Sequence, residues 1–197
     1  MRDFTLTESV CDQAVIVKAV STGWIEWFSN PTAGPWKRIG IPGISSLDGT
    51  GFEKEETRPD LVLYHNKNDP KILILESKDN IGKLIDSSNN NDQLKKTCKV
   101  FSNISTKLEN LIKKSSDKQI LKLLHSANYI CGYLIGYSNN LSTELETLKK
   151  LHFKFIDKSK FPFFVIITVK KSGFKLIVET EFIYENNYKG TKLKNLF

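Results

Sequence analysis

The chain has 197 residues, 40% of them hydrophobic, enough for one sizeable core and too few for two, so a single domain spanning residues 1–197 is expected. Its 29 basic and 22 acidic side chains leave a formal charge of +7 and a pI near 9.2, a balance that favours a polyanionic partner such as nucleic acid. Three widely spaced cysteines, Cys11, Cys98 and Cys131, argue against a disulfide framework or a zinc knuckle and suit a reducing, cytoplasmic setting. No apolar run approaches the roughly 18 residues of a membrane span, and the start "MRDFTLTE" lacks the apolar stretch of a signal peptide.

From Leu6 to Phe28, the residues Val10, Ala14, Val17, Trp24 and Phe28 recur at the spacing of one helical face and predict a helix. Thr5 and Glu8 form its capping box, and Asn30-Pro31 with Gly34-Pro35 ends it. Asn30 to Gly51 is punctuated by Gly and Pro throughout, and a loop of that length inside a domain points to binding, with Trp36, Lys37 and Arg38 as nucleic-acid contacts. Leu61–Tyr64 and Ile72–Glu76 read as strands joined by the turn-forming "HNKNDP".

After the polar Asn89-Asn90-Asn91, a helix is expected from about Asp92 to Lys114. Leu94, Cys98, Phe101, Leu108 and Ile112 take one side of it, with Lys95, Lys96, Lys99 and Lys107 largely opposite. Lys95 and Lys99 are candidates for DNA-backbone contact, although a lysine face is ordinarily just solvated surface. A shorter helix is expected over Asp117–His125, a strand buried on both faces over Asn128–Tyr137, and a helix over Ser142–Leu151. The chain closes with a hairpin, "FPFFVIITVKK" and "FKLIVETEF", turning at Ser172-Gly173. This order predicts an α/β protein with a mixed central β-sheet flanked by helices on both faces.

The chemistry concentrates in Arg58–Asn80. Asp60 stands at the mouth of one hairpin strand and Glu76 at the far end of its partner, so antiparallel pairing brings them together. Glu76 and Lys78 project from one face while Ser77 points the other way. Two adjacent carboxylates repel unless a cation lies between them, and hard oxygen ligands suit Mg2+. A metal there polarises a phosphate oxygen and acidifies a bound water, while Lys78 orients that water or stabilises transition-state charge; that is machinery for phosphodiester hydrolysis. Pro59 stiffens the approach to Asp60. The bland alternative is a turn-capping Asp60 beside an exposed Glu76–Lys78 pair worth under about 1 kcal/mol.

Pro59-Asp60, fifteen intervening residues, then Glu76-Ser77-Lys78 after the apolar "ILIL" resembles the signature of the PD-(D/E)XK nuclease superfamily. The resemblance implies a restriction-endonuclease-like core and magnesium-dependent cleavage of double-stranded DNA. Asp60 and Glu76 would be metal ligands and Lys78 catalytic. It further implies a glutamate on the first helix, Glu8 or Glu26; on one continuous helix these lie roughly 27 Å apart, so at most one serves, and Glu8 is chosen. Glu8 is equally explained as the capping partner of Thr5, and Glu26 as a solvated or loop-anchoring residue. An auxiliary glutamine fits Gln93, although the tyrosine expected four residues later is Thr97.

The chain's size resembles small cleavage subunits that work with a larger recognition subunit; a homodimer partner is the other expectation. A catalytically silent nucleic-acid-binding module and a repair or junction-resolving nuclease stand as alternatives. His65, His125 and His152 lack metal-ligand spacing, and Gly23, Gly82 and Gly132 belong to no phosphate-cradling loop.

Overall fold

Alternating apolar residues set the strands, and their pairing sets where the acids fall. A computed structural model of the chain describes residues 6–29, 37–38, 59–65, 70–85, 94–95, 97–99, 101–102, 122, 125–136, 141–156, 163–185 and 196–197. The strands are β1 (Ile25–Ser29), β2 (Lys37–Arg38), β3 (Leu61–His65), β4 (Lys71–Lys78), β5 (Asn128–Gly136), β6 (Phe163–Ser172) and β7 (Lys175–Glu185). They form one mixed sheet in the order β2-β1-β3-β4-β5-β6-β7. β4, β5 and β6 run parallel, and the outer pairings are antiparallel.

The three parallel strands are near-continuous runs of aliphatic and aromatic residues because both of their faces are covered. On one face, α1 (Glu8–Ser21) places Cys11, Val15, Ile16 and Ala19 against Leu61, Leu63, Leu73, Leu75, Leu134, Val165 and Ile167. On the other, α2 (Gly82–Ile85) and α3 (Leu141–Phe155) supply Leu84, Leu145 and Leu148, joined by Leu94, Cys98 and Phe101. These cover Val62, Ile72, Ile74, Tyr133 and Ile166. The protein is therefore mixed α/β with helices on both faces of the sheet. β5 approaches β6 closely enough that a Cβ on Gly132 would lie 2.2 Å from the Val165 carbonyl oxygen, so only glycine fits there.

The first element departs from the sequence expectation. α1 stops at Ser21, and Gly23, at φ 92°, closes it: Trp24 N–H donates to Ala19 O at 3.1 Å and Gly23 N–H to Val20 O at 3.1 Å, the paired bonds of a Schellman end. Trp24 onward leaves the helix, and Ile25–Ser29 is a strand. The buried face is also different: Val17 is 68% exposed, while Cys11, Val15 and Ala19 are buried. Both stripes have helical period, so periodicity alone does not choose between them. The N-cap is Thr7, whose hydroxyl accepts from Val10 N–H at 3.3 Å, rather than Thr5, which lies outside the described residues.

Further along, Lys37–Arg38 is a short strand paired with β1 within what was expected to be loop. The hairpin at β3–β4, the buried β5 and the closing hairpin fall where expected, the last turning through Gly173 at φ 60°. α3 extends one turn beyond Leu151. Most of the helix expected over Asp117–His125 lies outside the described residues, as do Leu108 and Ile112.

Candidate active site

Asp60 and Glu76 meet because of the β3–β4 register. Leu61 lies opposite Leu75, so one residue further along Asp60 faces Glu76, and Asp60 N–H donates to Leu75 O at 3.0 Å. Asp60 Oδ2 accepts from Ser77 N–H at 2.8 Å. Glu76 and Lys78 share a face, and Lys78 Nζ donates to Glu76 Oε1 at 2.8 Å and to Ser77 O at 2.6 Å. The same nitrogen lies 3.8 Å from Asp60 Oδ2 and 3.9 Å from Glu8 Oε1. Acids from the residue before β3, from β4 and from α1 thus surround one ammonium at the end of β4.

The electrostatics follow from burial and crowding. Glu76 is 2% exposed; burial pushes its carboxyl up and the Asp60 charge adds to that, against the pull of Lys78. Burial likewise raises Glu8, again against Lys78. For Lys78, burial disfavours the ammonium, but Glu76, Asp60 and Glu8 outweigh it and hold the lysine above its ordinary range. Lys78 is therefore a cation at neutral pH, with the carboxyls of Glu76, Asp60 and Glu8 around it.

Glu8 arrives from the first turn of α1, so it is the helix glutamate brought to the cluster. Glu26 is not: it sits on β1, buried at 7% exposure opposite Leu63, neither solvated nor helical. The sequence pattern did not single out Asp12. It lies one turn after Glu8, is 4% exposed, and its Oδ1 accepts from the Ser77 hydroxyl. Burial drives its carboxyl up to about 7, partly offset by that hydrogen bond. The available signal was an acid in the stripe Asp12, Ile16, Ala19, visible only once that stripe is known to face the sheet.

The expected nucleic-acid contacts gather less closely. Trp36 and Gln93 lie outside the described residues, and Lys37 and Arg38 are placed only as backbone of β2. Lys95 and Lys99 are exposed. Lys95 Nζ lies 5.7 Å from the Phe155 ring centroid at the end of α3, whose last turns pack on Phe164 at the start of β6. Phe164 is level, through Cys131, with Ile74 of β4, two residues before Glu76. Lys83, an exposed ammonium paired with Asp79 at 2.7 Å, is near enough to Glu8 to offset a little of that carboxyl's rise, and was not anticipated.

His152 is core: its ring stacks on Phe164 at 3.8 Å, it shares a 3.1 Å hydrogen bond with Tyr133, and burial holds it down to about 3. Cys98, beside both, is pushed up to about 11 by burial. Neither group is poised for nucleophilic chemistry.

Fold and cluster together define a mixed α/β protein carrying a carboxylate–lysine cluster at one end of a mixed sheet. The chain matches no protein-family model, no curated protein and no solved structure. Among the described residues no helix is long and apolar enough to cross a membrane. Nor do three acidic, histidine or cysteine side chains among them group so as to hold a metal by themselves, since the acids converge on Lys78. Magnesium does not require such a cage: one or two carboxylates, with water and substrate phosphate completing the shell, suffice. Asp60 and Glu76, two carboxyl groups facing one ammonium, supply oxygen donors of that kind.

Proposed function

We propose that the chain is a magnesium-dependent DNA endonuclease of restriction type, built on a restriction-endonuclease-like core and hydrolysing one phosphodiester per site. The observation that carries the reading is the contact of Lys78 Nζ with oxygens of both Asp60 and Glu76 at one sheet end. Asp60 and Glu76 would hold the metal. When bound, it would supply Lewis-acid polarisation of the scissile phosphate and acidify a water.

The side chains have separable roles. Lys78, kept protonated by the surrounding acids, donates hydrogen bonds and positive charge to a phosphate oxygen; it orients the attacking water but does not take its proton. Glu8 is the more open carboxylate, its side chain 26% exposed against 2% for Glu76, and its raised proton affinity suits it to accept a proton from water arriving at the mouth of the site. Attack of water on phosphorus breaks one P–O bond, leaving a phosphate monoester and a hydroxyl. One site cuts one strand, so double-strand cleavage calls for a second copy or a larger recognition subunit with its own site.

The test is incubation of the purified protein with supercoiled plasmid and magnesium, alone and with a candidate recognition subunit. Nicked or linear product, lost in Glu76→Ala and without magnesium, is the expected result. Cleavage unchanged by Glu76→Ala overturns the assignment. A preference for branched over duplex substrates would move it to junction resolution.

A further inference from the structure

Ser77 sits between two site residues, and its main chain runs through the middle of the cluster. Its N–H donates to Asp60 Oδ2 at 2.8 Å, and its carbonyl accepts from Lys78 Nζ at 2.6 Å. Its side chain turns the other way, into the α1 face, where Leu73 and Leu75 of the same strand bury apolar surface. There the fully buried hydroxyl donates to Asp12 Oδ1. Asp12 is on α1, one turn beyond Glu8. A carboxylate buried under the sheet costs free energy that an apolar residue at that position would avoid, so packing alone gives no reason for it.

We infer that Asp12 is a positioning residue: by fixing the Ser77 hydroxyl from beneath the sheet, it holds the peptide groups that orient Asp60 and Lys78. It thereby locks that strand to the helix that delivers Glu8. Its kinetic consequence rests on the nuclease reading above, whereas its structural consequence does not. Outer partners that orient site groups typically change activity or metal affinity by roughly 10- to 100-fold when removed. Because Asp12 and Ser77 act through one hydrogen bond, their losses should not add.

The experiment compares Asp12→Ala, Ser77→Ala, the double variant and Asp12→Asn, which keeps an acceptor oxygen for the serine. In single-turnover cleavage each alanine variant should slow the reaction roughly 10- to 100-fold. The double variant should be no slower than either single one, Asp12→Asn should recover most of the rate, and DNA affinity without metal should be unchanged. Additive losses, or rate and DNA affinity falling together, overturn the inference. A second readout needs neither metal nor DNA: the NMR signal of the Lys78 ammonium, identified by its disappearance in Lys78→Met. A shift of that signal in Asp12→Ala or Ser77→Ala supports the clamp even if the wild-type protein cuts nothing, and an unmoved signal sinks it. Should Asp12→Ala not fold, Ser77→Ala and Asp12→Asn carry the same comparison.

Discussion

Lys78 is an ammonium that is 7% exposed and ringed by acids, so its removal has consequences beyond chemistry. Lys78→Met removes the ammonium that Glu76 and Asp60 face, and loss of one member of a buried charge cluster costs roughly 3–5 kcal/mol. Thermal unfolding without metal should show that loss, and magnesium should restore part of it by binding the folded state, while plasmid cleavage stays absent. Unaltered stability with and without magnesium would contradict the arrangement. Asp12 gives a pH signature. Its carboxyl lies near 3.8 when unfolded and is raised to about 7 when folded, so the folded state holds the proton more tightly. Its contribution to stability is present below the unfolded value and is lost as pH rises through about 7. Asp12→Asn should therefore flatten the pH dependence, gaining on wild type between pH 5 and 8 by on the order of 3 kcal/mol at most; denaturant titrations at the two pH values check it.

At the level of elements, the site depends on how strands and helices abut. β5 lies between the site strand β4 and β6, and Gly132 sets its distance from β6. Gly132→Ala would press a methyl group onto the Val165 backbone, and overpacking of that kind costs about 3 kcal/mol or more, because a paired strand cannot move aside alone. Urea unfolding should show the loss. α1 presents Glu8 from its first turn, held by the Thr7 cap; Thr7→Ala should cost about 1 kcal/mol and lower cleavage by freeing Glu8, measurable as a rate loss that exceeds any change in DNA affinity.

For the whole molecule, the net charge of +7 predicts DNA binding that weakens steeply with salt, each phosphate contact contributing a slope of about −0.9 on log–log axes. Where the basic residues sit decides which matter. Lys83→Gln, beside the acids, should reduce the slope by about 1, whereas Lys95→Gln, at the far end of α3, should leave it unchanged. Filter-binding across a salt series distinguishes the two, and equal effects would mean that DNA lies along the α3 face instead.

Local sequence determined the mixed α/β class, the β3–β4 hairpin, the buried β5 and the closing hairpin, because strand alternation and turn residues act over a few positions. It also brought Asp60, Glu76 and Lys78 together, since antiparallel pairing across a short turn leaves little choice of register. Tertiary structure alone decided the rest. α1 carries two apolar stripes, and only docking on the sheet selected Cys11, Val15 and Ala19 and set Asp12 under Ser77. A helical period fixes how often apolar residues recur. Which face is buried depends on what the rest of the chain packs against it.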